Sequence, residues 1–274
     1  MDAIAAAGRV VELALHAAQT AAQPGVTTAA LDAVVAQVIA GQGAEAAFVG
    51  YPSFSGGQPF PASCCISINE ELVHGIPGPR ALTNGDVVSV DVGVRLNGWC
   101  ADAAITVGVG TLAPQHAALI SGAWAVLERG LQLMQPGTRW STVADAMQRV
   151  AVQHGLGMVD GWMGHGVGRQ VHEAPQVPCM VTPGLREQRD FTLLPGMVLA
   201  VEPLLVEGGG TTIAADGCAT PVAATQLHDG WTVAVADGRR AAHVEHTVAI
   251  TRHGPRILKG SLRQAHTQQG GCGR

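Results

Sequence analysis

Apolar residues at helical spacing begin near the N-terminal end of the sequence. Residues 3–22 combine many alanines with larger apolar side chains and charged residues between them, and this pattern predicts a helix. A second helix is predicted from Thr27 or Thr28, either of which can cap its N-terminus, to about Ala40. A further helix is predicted over residues 114–133. The pattern therefore predicts two helices at the start of the chain and a third over residues 114–133.

Between these helices the pattern changes to the period-two alternation of strands. Residues 64–72 predict one strand, and residues 85–102 predict two strands joined by an Asn97-Gly98 turn, which a type I′ two-residue hairpin prefers. That turn sets the register and places Asp91 and Asp102 on one face as diagonal neighbours, about 7–8 Å apart. Two carboxylates that close among apolar residues repel each other unless a cation lies between them. The alternative is a surface hairpin with two solvated acids.

The later part of the sequence repeats the earlier part. Pro136-Gly137 precedes a helical pattern as Pro24-Gly25 does, at an offset of about 112 residues. Residues 196–202 repeat residues 85–91 at nearly the same offset, and both stretches end in a carboxylate, Asp91 or Glu202. A helix start, a strand and an acid rarely repeat together by chance.

This repeat predicts the domain organisation. We expect an α+β fold of two similar halves, about residues 1–112 and 113–260, which face one another across a central site. Together they form a single domain of residues 1–260. Residues 261–274 are predicted to form a flexible tail.

The composition limits the classes of protein to which this chain can belong. The 274 residues are 47% hydrophobic and 14% charged, which is typical of a globular protein, and the net charge of −5 without a basic cluster argues against nucleic acid as the main partner. The sequence has neither an apolar run of the ~20 residues that a membrane span needs nor a signal peptide. Six cysteines without CxxC spacing are expected to be reduced. These features predict a cytoplasmic protein.

Four carboxylates on predicted strands can supply oxygen ligands for two divalent ions. They are Asp91 and Asp102 in the first half, and Glu202 and Glu245 in the second. His165 is the candidate nitrogen ligand, because the glycines beside it remove side chains that would crowd a metal or a bound peptide.

Other histidines are weaker candidates. His74 and His172 also lie near glycines, and His172 can reach the same cleft as His165. Alternation along the strand predicts that neither His243 nor His246, which flank Glu245, shares the face of Glu245. The remaining histidines are interpreted as ordinary polar groups; they are His16, His116, His154, His228 and His253.

Several motifs of the sequence together resemble those of a known protein family. The motifs are Ser67-Ile68-Asn69-Glu70, His74-Gly75-Ile76-Pro77, Asp91 with Asp102, Gly164-His165-Gly166-Val167-Gly168-Arg169, His172-Glu173, Pro195-Gly196-Met197, Glu202-Pro203 and Glu245-His246-Thr247. Over about residues 3–259 the chain resembles the type I methionine aminopeptidases, which have the two-sided pita-bread (creatinase/aminopeptidase) fold with antiparallel sheets around a dimetal cleft. About thirty residues separate His172 from Glu202, which leaves no room for the helical insertion of the type II branch.

The resemblance implies roles for individual residues. Asp91, Asp102, His165, Glu202 and Glu245 would bind two metal ions, with Asp102 and Glu245 bridging. The ions would be Co, Mn, Fe or Zn, since carboxylates with one imidazole suit all four. Glu202 would be the acid/base.

Further roles concern the substrate. His172 would donate to the oxyanion, and His74 to the leaving nitrogen or its neighbour. Cys65, Phe60 and Trp231 would line an apolar pocket for the methionine side chain, since sulfur and aromatic contacts suit a thioether. The chain departs from the family pattern at Gly93, Ala103, Ala104 and Val171, and in lengthened segments over residues 52–59 and 208–226.

The implied activity is removal of N-terminal methionine from nascent proteins and peptides when the second residue is small. The implied enzyme is a metal-dependent exopeptidase and a monomer, with peptide or nascent-chain N-termini and the ribosome as partners. Two alternatives stay open, a relative of Xaa-Pro aminopeptidases or dipeptidases and a metal-free peptide-binding module of the same fold.

Overall fold

A long antiparallel hairpin lies at the centre of the first half of the molecule. The computed structural model describes residues 1–53 and 56–258, and the predicted tail, residues 261–274, lies outside these ranges. The hairpin turns at Asn97-Gly98, and its strands pair in the predicted register, with Leu96 opposite Trp99 and Gly93 opposite Asp102. Asn97 and Gly98 both adopt positive φ, as a type I′ turn requires.

Helices and strands alternate along the described chain. The helices are α1 (Asp2–Ala21), α2 (Thr28–Gly41), α3 (Pro114–Leu133) and α4 (Trp140–Gln153). The strands are β1 (Glu45–Ala46), β2 (Cys65–Ile68), β3 (Glu71–Val73), β4 (Val87–Leu96), β5 (Trp99–Gly108), β6 (Gly157–Met158), β7 (Gly164–Gly166), β8 (Glu173–Val177), β9 (Val198–Val201), β10 (Leu204–Val206), β11 (Thr212–Ile213), β12 (Ala219–Thr220), β13 (Ala224–Gln226), β14 (Val233–Val235), β15 (Ala241–His243), β16 (His246–Thr251) and β17 (Gly254–Ile257). A single π-helical turn covers Leu185–Arg189.

The two helix pairs match in length and spacing. α1 and α3 each have 20 residues, and α2 and α4 each have 14. Both members of the second pair begin 112 residues after their counterparts, at Pro114 and Trp140. Thr27 caps α2, because its hydroxyl accepts from the amide of Ala30. These lengths support the interpretation of two similar halves, whose boundaries stay a prediction.

Each helix pair covers its own sheet. In the first half β1, β4, β2 and β5 form one sheet, whose apolar side chains pack with those of α1 and α2 in one core cluster. In the second half the order is β17-β16-β9-β7-β8, and its apolar side chains share a cluster with those of α3 and α4. No helix among the described residues has both the length and the apolar character needed to cross a bilayer.

The two sheets meet along a seam between β5 and the segment that contains β15 and β16. The amide of Glu245 donates to the carbonyl of Ala104 at 3.0 Å. On one side of this bond the Thr247 hydroxyl accepts from the amide of Asp102 at 2.9 Å and donates to its carbonyl at 2.6 Å. Hydrogen bonds between the two halves of the chain therefore involve the backbone groups of Asp102 and Glu245.

Two predicted strands are interrupted. The strand predicted over residues 64–72 is divided by a turn at Asn69, which has a φ of 60°, and the segment from residue 241 to 251 is divided at residues 244–245. In the second case the backbone leaves its own sheet and bonds across the seam instead. Local alternation does not report such a long-range pairing.

Candidate metal centre

Five side chains from both halves converge on one point between the sheets. Asp91 and Asp102 lie on the paired strands β4 and β5, and His165 lies on β7. Glu202 follows the end of β9, and Glu245 lies between β15 and β16. Because β16, β9 and β7 are neighbours in one sheet, strand pairing brings His165, Glu202 and Glu245 together.

The ligand atoms form three overlapping clusters, in each of which they lie within 4.8 Å of one another. The clusters are Asp91 with Asp102 and Glu245, His165 with Glu202 and Glu245, and Asp102 with His165 and His172. All five predicted ligands therefore belong to a single group.

The burial of this group fits a bound cation. Asp102 and Glu245 are 3% and 1% exposed. Within the described part of the chain, Oδ1 of Asp91 and Oδ1 of Asp102 are buried and have no hydrogen-bond partner. An ionised carboxylate in such surroundings is costly unless a cation compensates it, and oxygen atoms with one imidazole nitrogen are suitable ligands for divalent ions.

The pKa values of the carboxylates reflect this crowding. Burial, and then the charges of Asp102 and Glu202, raise the pKa of Asp91 well above its usual value. Burial also raises the pKa of Asp102 to about 6, although His165 opposes the shift. For Glu202 burial raises the pKa, but the neighbouring imidazoles of His243, His165 and His172 together outweigh it, so the net pKa is lowered. Glu202 is therefore the acid that the surroundings favour in its ionised form.

The glycines beside His165 have a different role from the predicted one. A Cβ on Gly164 would lie 2.2 Å from the carbonyl oxygen of Ala200, and a Cβ on Gly166 would lie 2.2 Å from that of Ala174. These contacts are with the neighbouring strands. The glycines therefore allow β7 to pack closely within its sheet, which positions His165.

His74 and His172 line the cavity around the candidate metal centre. The His172 ring lies 4.2 Å from that of His165 and 4.8 Å from that of Tyr51, between centroids. Desolvation lowers the pKa of both His74 and His172 to about 4. Both imidazoles are therefore neutral at pH 7, and each can donate one N–H and accept at the other nitrogen.

The predicted pocket residues line the same cavity, whose volume is about 810 Å³. The rings of Phe60 and Trp231 meet edge to face at 5.1 Å, and the indole N–H donates to the carbonyl of Gln58. Cys65 is paired with Asp91 across β2 and β4, so the apolar wall continues directly into the carboxylate cluster. Phe48, which packs against Gly93, completes the aromatic group.

His243 was missed by the sequence reasoning, and the expectation about it was wrong. Its Nε2 lies 3.3 Å from Oε2 of Glu202 and 4.0 Å from Oε2 of Glu245. Residues two apart on a strand share a face, so the spacing of His243 and Glu245 was the signal that could have found it. His246 points elsewhere and contacts the ring of Trp124. Of the other histidines, His116 bonds Glu207 away from the centre.

The family model of metallopeptidase family M24 matches residues 2–252, which include all five clustered side chains. The chain belongs to metallopeptidase family M24. Such a peptidase is a hydrolase that uses divalent metal, which confirms the predicted enzyme class and the coarse cofactor prediction.

Relatives of this M24 chain carry a consistent name. Methionine aminopeptidase 1 of Mycobacterium tuberculosis is 44% identical over 265 residues, covering 94% of this chain and 91% of the relative. Methionine aminopeptidase 1 of Bacillus subtilis is 39% identical over 252 residues, which cover 92% of this chain and 93% of the relative. The crystal structure of methionine aminopeptidase from Thermotoga maritima matches with a TM-score of 0.80 at 34% identity. The match covers 94% of this chain and 96% of the Thermotoga chain. The resemblance to type I methionine aminopeptidases and the pita-bread fold are thereby confirmed.

A more distant match bears on one alternative. Prolidase from Pyrococcus furiosus matches with a TM-score of 0.71 at 20% identity, and the match covers 95% of this M24 chain and 64% of the prolidase. At that identity the likeness shows a shared fold alone. It therefore does not favour an Xaa-Pro peptidase.

Proposed function

We propose that this protein removes the N-terminal methionine from peptides and nascent chains when the second residue is small. The observation that carries the proposal is the cavity, in which an apolar wall of Phe60, Cys65 and Trp231 ends at the carboxylate cluster. A substrate whose free amine lies at the carboxylates places its first side chain against that wall. A thioether suits sulfur and aromatic surroundings.

We assign two metal ions to the cluster, with Asp91, Asp102, His165, Glu202 and Glu245 as ligands. Asp102 and Glu245, each of which belongs to two of the three clusters, would be the carboxylates shared by both ions, because a carboxylate has two oxygens to offer. Co, Mn, Fe and Zn all suit this donor set. Divalent ions bound there supply Lewis-acid chemistry, which polarises a scissile carbonyl and activates water.

The protein's own residues move the protons and stabilise charge. Glu202, ionised at neutral pH, accepts a proton from the attacking water and passes it to the leaving nitrogen as the peptide C–N bond breaks. His172 is neutral and donates its N–H to the oxygen that gains charge when water adds to the carbonyl. His74 donates to the leaving nitrogen or to the group beside it.

The alternatives have less support. A metal-free binding module does not need buried carboxylate oxygens without hydrogen-bond partners, yet Asp91 and Asp102 each have one within the described residues. The relatives from 34% to 44% identity are named methionine aminopeptidases, which favours that substrate over Xaa-Pro peptides. Cytoplasmic location, a monomeric state and action beside the ribosome belong to the proposal as predictions.

The test is peptide hydrolysis with and without a chelator. We expect metal-loaded protein to release methionine from Met-Ala-Ser and to leave Ala-Pro-Ser intact, and we expect EDTA to abolish release, with added metal restoring it. Cleavage of Ala-Pro-Ser at a higher kcat/KM than Met-Ala-Ser would support the Xaa-Pro alternative. Full activity in chelator-treated, metal-stripped protein would contradict the metal assignment.

A further inference from the structure

A second imidazole, besides that of His165, faces a carboxylate of the candidate metal centre. The side chain of His243 is 2% exposed, and its Nε2 is directed at Oε2 of Glu202 across 3.3 Å. His165 faces the other oxygen of the same carboxylate, with its Nε2 at 3.6 Å from Oε1. Glu202 therefore has one imidazole on each of its two oxygens.

The backbone of His243 is held rigidly by the first half of the molecule. Its amide donates to the hydroxyls of Thr106 at 2.9 Å and Ser89 at 3.2 Å, and its carbonyl accepts from Thr106 at 2.7 Å. The two hydroxyls also bond each other at 2.9 Å. All these groups are buried. Hydroxyl groups of the hairpin therefore hold the backbone of His243, while β15 also pairs with β10, where Leu204 lies opposite His243. The ring is held between the hairpin and the strand that follows Glu202.

The ring nitrogen has no competing partner. Among the described residues, Nε2 of His243 is buried without a hydrogen-bond partner of good geometry, and Glu202 is the nearer of the two carboxylates it faces. A distance of 3.3 Å lies just beyond the usual N–H···O range of 2.7–3.2 Å, so a small rotation of the Glu202 carboxylate completes the bond. An ordinary buried histidine would instead have its nitrogens satisfied by neighbouring groups.

We propose that His243 is a positioning residue for Glu202, and that its Nε2–H donates to Oε2 and so directs Oε1 toward His165 and the shared ligand cluster. The proposal rests on the proposed function, in which Glu202 is both metal ligand and acid/base. A carboxylate that is fixed at one oxygen presents the other in one orientation. His243 thus controls the orientation of Glu202 without itself being a ligand.

Two nearly isosteric variants separate this role from a structural one. In His243→Gln the side-chain amide nitrogen occupies the place of Nε2 and can still donate to Glu202. In His243→Asn the amide nitrogen occupies the place of Nδ1, so Oε2 of Glu202 loses its donor. Partners of this kind typically contribute 10–100-fold to metal affinity or activity. We therefore expect His243→Asn to lose about 10–100-fold in kcat with little change in KM, and His243→Gln to stay within a few-fold of wild type.

A spectroscopic readout accompanies the kinetics. Each variant is loaded with Co(II), its visible absorption spectrum is recorded, and the bound metal per chain is measured. We expect His243→Asn to bind the same number of ions with an altered spectrum, and His243→Gln to reproduce the wild-type spectrum. His154→Asn, at an exposed histidine at the end of α4, is the matched control and should change neither measurement. Thermal unfolding of the metal-free proteins checks that each variant folds.

Several outcomes would overturn the proposal. Wild-type kcat and spectrum in His243→Asn would show that Glu202 does not depend on His243. Loss of one bound ion in both variants would make His243 a direct ligand instead. An equal loss in both with unchanged spectra would indicate a role in folding. If wild-type protein failed to cleave methionine peptides, the proposed function would fail, whereas the Co(II) spectra would still decide the role of His243.

Discussion

At the scale of single residues, the centre consists of acids that the protein places together at a cost. Burial raises the pKa of Asp102 to about 6 from an ordinary value of 3.8. A folded-state pKa above the unfolded value means that the contribution of Asp102 to stability is fully present below about pH 4 and is lost as pH rises through about 6. The proposed metal ions would offset this cost. Ligand residues are therefore expected to matter for metal binding more than for folding.

Removal of single ligands tests this expectation. Asp102→Asn and His165→Ala should each abolish activity and reduce the bound metal per chain, while circular dichroism shows an intact fold. The metal-free Asp102→Asn protein should unfold at a higher temperature than metal-free wild type above pH 6, and this gain should shrink at pH 4 because the wild-type acid is then protonated. A drop in unfolding temperature at both pH values would show that Asp102 stabilises the fold directly.

At the scale of elements, the hairpin and the seam determine where the acids lie. The β4–β5 hairpin carries Asp91 and Asp102, and the seam joins the Asp102 backbone to the strand segment that carries Glu245. One hydroxyl, that of Thr247, makes two of the seam bonds. The distance between the two proposed bridging carboxylates therefore depends on this threonine.

Thr247→Val removes the hydroxyl and keeps the shape of the side chain. It leaves the buried amide and carbonyl of Asp102 without these partners, so we expect the free energy of unfolding to fall by about 2 kcal/mol, since an unsatisfied buried group costs about 1–3 kcal/mol. Metal affinity should fall with it. Thr247→Ser should restore both. Thr251→Val is the matched control, because near the end of β16 it likewise loses two bonds of a hydroxyl, one to the carbonyl of Gly254 and one from the amide of His253. Urea unfolding and calorimetric metal titration provide the measurements, and equal effects of the two valine variants would contradict the role of the seam.

At the scale of the whole molecule, we expect substrate choice to follow from the cavity that both halves of the chain line. Phe60 comes from the first half of the chain and Trp231 from the second, yet their rings meet and close the apolar wall. The free amine is proposed to lie at the carboxylates, so the second residue of the substrate lies beside the crowded ligand cluster. We expect the space there to limit the second side chain of the substrate, and the apolar wall to select the first.

A Met-X-Ser peptide series tests this arrangement. We expect hydrolysis when X is Gly, Ala or Ser and little when X is Leu or Lys, with kcat/KM differing by roughly 10–200-fold, which is what steric selection in such pockets provides. Leu-Ala-Ser should be cleaved more slowly than Met-Ala-Ser, because a β- or γ-branched chain fits the narrow wall less well than a thioether. Equal rates for X of Ala and Lys, or faster cleavage of the Leu-first peptide, would show that the pocket is assigned wrongly.

The sequence by itself determined the local elements and was enough to name all five proposed ligands. The hairpin register follows from the Asn97-Gly98 turn, because a two-residue turn leaves one pairing for the strands that it joins. The starts of α3 and α2 follow from Pro114 and the Thr27 cap, which act within one turn of helix. These features depend on neighbours in the chain, so their residues are enough to predict them.

The tertiary structure decided what depends on contacts across the molecule. His243 joins the centre because Ser89 and Thr106, 154 and 137 residues away, hold its backbone there. The strand break beside Glu245 arises because its amide bonds β5 and not its own sheet. The glycines around His165 are needed by adjacent strands whose approach cannot be read from the local sequence. Periodicity reports which face a residue occupies, whereas the partner on that face depends on how the two halves pack.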